Sequence, residues 1–253
     1  MPDLSALISA PGVGPTMGLV LIAASFLTSM TTAALSLGGG TMMVALLSMI
    51  WPAAVAIPIH GIIQLGSNAG RVVHRFRDIQ WVYAGWFAAG AAVGTAIGGP
   101  VATWMPDALF RVAVGLFLIY AAWGPKTQER VTRPLSIAGV GAFTSTLGMI
   151  VGASGPLVAG VLRGLPDRRQ LVGTHALLMS LQHGMKLIAF GLLGFQFAPY
   201  LGLTGAMIVS GFAGTLVGGQ LLDRLPERTF RIGFRLILTV LALDLIRRGL
   251  SGG

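Results

Sequence analysis

The sequence has no cysteine, and this absence excludes several kinds of chemistry. A chain of 253 residues without a thiol forms no disulfide, binds no metal through thiolates and carries out no thiol redox reaction. Charge is scarce as well, since Asp, Glu, Lys and Arg make up 10% of the residues, whereas soluble domains have about a quarter. So few charges cannot cover a surface that faces water, which excludes the soluble classes.

Apolar residues dominate instead. They make up 54% of the chain, the mean hydropathy is +0.80, and 37 glycines are present. Glycine is frequent in membrane helices because it lets their backbones approach closely. The composition therefore predicts an all-α polytopic membrane protein, with the lipid bilayer as its surroundings and room for about seven or eight helices of ~20 residues.

The chain is strongly basic, with a net charge of +9 and a pI near 11.4. In a soluble protein this charge would suggest nucleic acid as a partner. Here the basic residues lie in short loops between apolar segments, as the positive-inside rule requires, so no nucleic acid is expected. The first residues, MPDLSALISAPGVGP, lack the basic region of a secretory signal. We therefore expect the first apolar segment to be retained in a multi-pass protein of the cell (inner) membrane.

Two of the apolar segments are too short to cross ~30 Å of hydrocarbon. They are TMMVALLSMI (41–50) and PLVAGVLR (156–163), and each follows a break of small residues, SLGGG (36–40) and GASG (152–155). Irregular backbone survives in a membrane only when it is buried in protein or lines a wet cavity. The other segments are at about 15–37, 53–73, 80–102, 108–124, 135–152, 171–195, 198–221 and 231–247.

The two halves of the chain match each other. Residues 93–111 align without a gap with residues 213–231, and the identical pairs are Gly94/Gly214, Thr95/Thr215, Gly98/Gly218, Gly99/Gly219, Pro106/Pro226, Phe110/Phe230 and Arg111/Arg231. Gly40 and Gly155 each precede a histidine by twenty residues, His60 and His175. The sequence therefore predicts one membrane domain built from two repeats, about 14–124 and 134–248.

Basic residues indicate how the repeats are oriented. If each repeat is a re-entrant or broken helical hairpin plus three transmembrane helices, the odd number of crossings inverts the second repeat. Thirteen basic residues then lie inside: Arg71, Arg75, Arg77, Lys126, Arg130, Arg133, Arg163, Arg168, Arg169, Arg224, Arg228, Arg231 and Arg235. Only Arg111, Arg247 and Arg248 lie outside, whereas parallel repeats would divide the same residues evenly. This predicts inverted repeats with both termini extracytoplasmic.

Each repeat carries a polar stripe that begins with its histidine. Steps of 4, 7, 8 and 11 residues lead from His60 to Gln64, Ser67, Asn68 and Arg71, and from His175 to Met179, Gln182, His183 and Lys186. These offsets share one face of an α-helix, and polar groups in a membrane normally face the bundle interior. Interhelical hydrogen bonding is the alternative role. Arg71 lies near the inside surface and could simply reach it, whereas Lys186 lies mid-segment.

A half-helix that begins at Thr41 or Pro156 points its free N–H groups and positive dipole end at the membrane middle, as an anion site requires. Close helix packing is the alternative role of the glycines. The predicted binding residues are Gly38, Gly39, Gly40, Thr41, His60, Gln64, Asn68, Ser154, Gly155, His175, Gln182, His183 and Lys186. His60 and His175 are also predicted to carry a coupling proton, since imidazole titrates near neutral pH. No metal is predicted, because the only intramembrane carboxylate is Asp244, near a helix end.

GGGTMMVALL, followed by a Pro-bounded helix, a basic loop and a Gly-rich helix, resembles the sulfite exporter TauE/SafE family, also called the 4-toluene sulfonate uptake permeases. The resemblance covers about residues 16–247 and implies transport of sulfite, sulfonates such as sulfoacetate, or related organic sulfur anions.

No P-loop and no catalytic or metal-ligand set is present, so neither an enzyme nor a cofactor is expected. The leading hypothesis is a secondary transporter of a small anion that works by alternating access. An anion channel with the same pocket is the alternative, and a scaffold or intramembrane enzyme is a third. The exact anion, direction, coupling ion and oligomeric state stay open, a homodimer among the alternatives.

Overall fold

The described residues of the computed structural model, 7–35, 38–125, 131–221 and 227–252, form α-helices and no β-strand. Ten helices lie in these ranges: α1 Pro15–Leu35, α2 Gly39–Ile50, α3 Ala53–His74, α4 Val82–Trp104, α5 Asp107–Trp123, α6 Pro134–Val151, α7 Gly155–Leu162, α8 Arg168–Leu192, α9 Leu201–Leu221 and α10 Glu227–Ser251. The all-α prediction is confirmed. Parts of the sequence features above lie outside the described ranges, at 1–6, 36–37, 126–130 and 222–226, and they include Lys126, Arg130, Arg224 and Pro226.

Four of the described helices are long and apolar enough to cross a membrane, namely α1, α4, α6 and α9. On α4, one face exposes Val93, Ile97 and Val101, which are spaced four residues apart. Such spacing forms one stripe along a helix, and an exposed stripe of branched aliphatic side chains suits hydrocarbon rather than water. The fold is therefore that of a polytopic membrane protein, as the composition predicts.

Two helices are far shorter than the rest. Helix α2 has 12 residues and α7 has 8, so they extend about 18 Å and 12 Å against a hydrocarbon core of about 30 Å. A glycine with positive φ precedes each, Gly38 at 105° and Gly152 at 81°. Residues other than glycine rarely adopt this left-handed backbone conformation. The structure thus places both half-helices at the breaks that the glycines predict.

The helices pair across the two halves of the chain. Helix α1 packs on α9, and α4 packs on α6, whereas α3 packs on α8 and α5 packs on α10. Helices α1–α5 make up the first half and α6–α10 the second. The first helix of each half contacts the fourth helix of the other half. The two third helices contact each other, and so do the two fifth helices. This pairing is the one that an internal two-fold axis would produce. The inversion of the repeats across the bilayer and the extracytoplasmic termini stay predictions.

Repeated glycines bring the paired helices together. A Cβ on Gly94 of α4 would overlap the carbonyl oxygen of Ala142 on α6, and one on Gly214 of α9 would overlap that of Phe26 on α1. Small residues at four-residue spacing allow such backbone contact in membranes. The match between Gly94 and Gly214 therefore has a structural reason, which is the same close crossing made twice.

We expect Gly94→Ala to lower the free energy of unfolding by about 1–3 kcal/mol, because the added methyl group forces α4 away from α6. Gly85→Ala on the same helix is the matched control, since its Cβ would meet nothing within 4 Å. Thermal unfolding in detergent measures both variants. Equal melting temperatures for the two would contradict the assignment of Gly94 to the helix contact.

Candidate functional site

A cavity of about 40 Å³ lies where the two half-helices begin. Helices α3 and α8, which carry the polar stripes, form most of the rest of its wall, and Thr32 of α1 completes it. Fifteen described residues line it: Thr32, Gly38, Gly40, Thr41, His60, Gln64, Asn68, Arg71, Ala153, Ser154, Gly155, Pro156, His175, Met179 and His183. Ten of the thirteen residues predicted to bind the anion are among them, and both repeats contribute.

The two half-helices offer different numbers of hydrogen-bond donors. At α2, the amides of Gly39, Gly40 and Thr41 have no partner within the helix, and no side chain caps the end. At α7, Pro156 has no N–H, and the amides of Leu157 and Val158 both donate to Ser154 O at 3.0 and 3.2 Å. Helix α7 therefore offers mainly the Gly155 amide, so the start of α2 has more free donors.

Both predicted proton carriers contact the first turn of a half-helix. Nε2 of His60 lies 2.9 Å from Gly40 O, and Nε2 of His175 lies 3.1 Å from Gly155 O. Because a carbonyl oxygen only accepts, Nε2 carries the hydrogen in each ring and Nδ1 is left with its lone pair. The two histidines thus make the same contact in the two repeats, each to the glycine twenty residues earlier.

Three buried polar atoms at the cavity lack a hydrogen-bond partner among the described residues. They are Nδ1 of His60, Nδ1 of His183 and Oδ1 of Asn68. The rings of His60 and His183 lie edge to face, with centroids 5.5 Å apart. Native interiors rarely leave polar groups unpaired. Because the amide oxygen and a ring nitrogen with a lone pair are acceptors, their missing partners are donors, such as water or, on a ring nitrogen, a bound proton.

Arg71 is the one fully charged side chain among the described residues that line the cavity, and no carboxylate is among them. Its guanidinium donates to Ser67 on its own helix, to O at 3.3 Å and to Oγ at 3.0 Å. Neutral acceptors leave its charge uncompensated. The predicted binding set does not include Arg71, because this residue lies near the inside surface. Its place on the stripe, eleven residues after His60, is the signal that would have included it.

Three residues of the predicted set do not line the cavity but shape the breaks beside it. A Cβ on Gly39 would overlap the carbonyl oxygen of Thr28, so this glycine lets α2 pack on α1. Lys186 is buried, and its Nζ donates to Gly152 O at 2.8 Å, where a cation suits the negative end of α6. The third, Gln182, joins α8 to the start of α7.

Gln182 acts through Ser154, which does line the cavity. Its Nε2 donates to Thr144 O at 2.8 Å, and its Oε1 accepts from Ser154 Oγ at 2.9 Å. Gly148 makes room for this amide, since a Cβ there would lie 2.6 Å from Nε2. Gln182 is therefore a positioning residue for the break before α7.

We expect Gln182→Leu to lower the free energy of unfolding by about 1–3 kcal/mol, because a buried hydroxyl and a carbonyl lose their partner. Ser180→Ala on the same helix is the control, since its Oγ has no partner among the described residues. Melting temperature and the KM for uptake should be measured together. If Gln182→Leu raises KM and leaves the melting temperature unchanged, the result supports direct binding of the substrate by Gln182 instead.

Thr32 on the cavity wall carries no signal in the sequence, because it belongs to neither stripe and neither break. Ala153 lies in the predicted break GASG, although it is not in the predicted binding set. No group of three or more His, Asp or Glu residues that could hold a metal ion occurs within the described ranges.

Comparison with known proteins gives one match. A family model described as sulfite exporter TauE/SafE matches residues 21–245, a range that includes both half-helices and every lining residue of the cavity. No curated protein and no solved structure matches the chain significantly.

Proposed function

Because the chain belongs to the sulfite exporter TauE/SafE family, we propose that it is a secondary active transporter that carries small sulfur-containing anions, such as sulfite and sulfonates, through the central cavity. Membership in this family of membrane transporters implies transport of sulfur anions. The observation that carries the proposal is the cavity itself. It lies at two half-helix N-termini, beside an uncompensated Arg71, with no carboxylate among its described lining residues.

The cavity chemistry suits an oxyanion. Amides at the start of α2, the Gly155 amide and the Arg71 guanidinium are all donors, and hydrogen bonds from a charged donor are about twice as strong as neutral ones. The Gln64 amide lies against the start of α2, since a Cβ built on Gly40 would be 3.0 Å from it. An anion with three oxygens would accept from both helix ends at once.

The size of the cavity favours a small anion. About 40 Å³ holds more than one water-sized group. Sulfite or a short sulfonate meets that limit, whereas a longer organosulfonate such as sulfoacetate needs the walls to move apart. We therefore propose sulfite-sized oxyanions as the preferred substrates.

Proton coupling follows from the orientation of the histidines in this proposal. With Nε2–H committed to a backbone carbonyl, Nδ1 of a neutral ring has only a lone pair and repels an anion. A proton on Nδ1 turns it into a charged donor. Anion and proton would then bind to the same site together and cross together.

Counterflow tests the proposal and separates it from the channel alternative. Proteoliposomes loaded with unlabelled sulfite are diluted into trace ³⁵S-sulfite under anaerobic conditions. A transporter accumulates the label transiently above its outside concentration, and a channel only equilibrates it. Failure of every small sulfur oxyanion to produce this overshoot would overturn the proposal.

A further inference from the structure

We propose that a second cavity, between the end of α5 and the half-helix α7, is an anion-attracting vestibule that leads to the central cavity. This inference rests on the transport function proposed above. The second cavity has a volume of about 60 Å³. The residues that carry the argument are Tyr120, Ala121, Pro156, Leu157, Gly160 and Arg163.

The vestibule runs along one face of α7. The lining follows Pro156 at steps of 1, 4 and 7 residues, which lead to Leu157, Gly160 and Arg163, the last just after α7. These steps are the spacing of a single helical face. The distance along the axis is about 10 Å. Pro156 also lines the central cavity. One residue therefore borders both spaces, and the vestibule ends where the central anion site begins.

The charge in the vestibule suits an anion. Helix α7 points its positive N-terminus at the central cavity, so its negative C-terminus lies at the far end of the vestibule and would repel an approaching anion. Arg163, the residue just after α7, places a cation at that end, and its side chain makes no hydrogen bond or ion pair with another described residue. No carboxylate is among the described residues of this wall.

The vestibule is small, and Gly160 on α7 and Ala121 on α5 are both in its lining. A volume of about 60 Å³ admits compact groups rather than chains. The ligand class is a small oxyanion, the same as that proposed for the central cavity. Arg163 would raise its local concentration at the mouth, which increases the rate of entry without changing the central site.

The cysteine-free sequence allows a test that does not depend on transport. Ala121→Cys would be the only thiol in the chain, and the purified protein in detergent is labelled with an anionic and a cationic methanethiosulfonate, which are compact reagents. We expect Arg163→Gln to lower the ratio of the anionic to the cationic labelling rate at this thiol about fivefold. One unit charge at about 8 Å in water has this effect, because it attracts one reagent and repels the other. Ala108→Cys, exposed at the other end of α5, is the control whose ratio should not respond to Arg163.

Transport measurements provide the second arm. Arg163→Gln should raise the KM for sulfite several-fold and leave kcat unchanged, whereas Arg133→Gln, exposed before α6, should change neither. The vestibule is overturned if the thiol of Ala121→Cys does not react, or if its ratio is the same with and without Arg163. Absence of counterflow in the unaltered chain would overturn the transport function instead, and the labelling ratio would still decide whether Arg163 attracts anions.

Discussion

Replacing Arg71 with Gln is expected to raise the KM for sulfite uptake about 10- to 100-fold. Arg71 is the only full charge among the described residues of the cavity wall, and its bonds to Ser67 leave that charge uncompensated. A hydrogen bond to a charged partner contributes about 1.5–3 kcal/mol, which is one to two powers of ten in affinity. Initial uptake rates in proteoliposomes over a range of sulfite concentrations measure the effect.

Two further variants make the Arg71 result specific. Arg71→Lys keeps the charge but loses the planar fork, so it should recover only part of the affinity. Arg75→Gln, one turn later, removes a partly exposed arginine that pairs with Asp78 at 3.6 Å, and its KM should stay within about twofold. If Arg75→Gln weakens uptake as much as Arg71→Gln, the effect comes from overall surface charge and the cavity assignment fails.

The double variant His60→Gln, His175→Gln is expected to abolish the pH dependence of uptake. Both rings hold a half-helix glycine through Nε2, and glutamine can keep that contact but cannot take up a proton near neutral pH. Uptake driven by an imposed proton gradient should fall to the level of empty vesicles. Counterflow exchange at constant pH should persist, because the helix amides and Arg71 remain.

The pH experiment needs a substrate that does not itself titrate. Sulfite takes up a proton near neutral pH, so methanesulfonate, which stays fully ionised, should be measured beside it. His74→Gln, exposed at the end of α3, is the control and should keep the normal pH profile. Retention of pH-dependent methanesulfonate uptake in the double variant would exclude both histidines as proton carriers.

Much of the site could be predicted because the chain contains it twice. The glycine breaks before α2 and α7, and the equal spacing from Gly40 to His60 and from Gly155 to His175, indicated paired half-helices beside paired histidines. The structure brings both histidines onto their glycine carbonyls. The repeated spacing was enough for this, because equal distances in the two halves point to equivalent contacts. Helical periodicity adds which residues of each stripe share a face.

Periodicity does not determine which neighbour a long side chain reaches. Arg71 and Lys186 are equivalent on their stripes, yet the first lines the cavity and the second binds Gly152 O. The difference depends on how α3 and α8 are rotated and how closely they approach. For example, a Cβ on Gly61 would lie 3.2 Å from Lys186 Cδ. Contacts between distant helices set that rotation, and a single sequence does not reveal them.

The packing of helices from one half of the chain on helices from the other half has a consequence for biosynthesis. Ser25 Oγ of α1 donates to Met207 O of α9 at 2.7 Å, across 182 residues of chain. At about 5–20 residues per second, the ribosome needs on the order of 10–40 s to make that stretch. Helix α1 therefore leaves the translocon long before the helix on which it packs. Until then its serines and small residues face lipid or the insertion machinery.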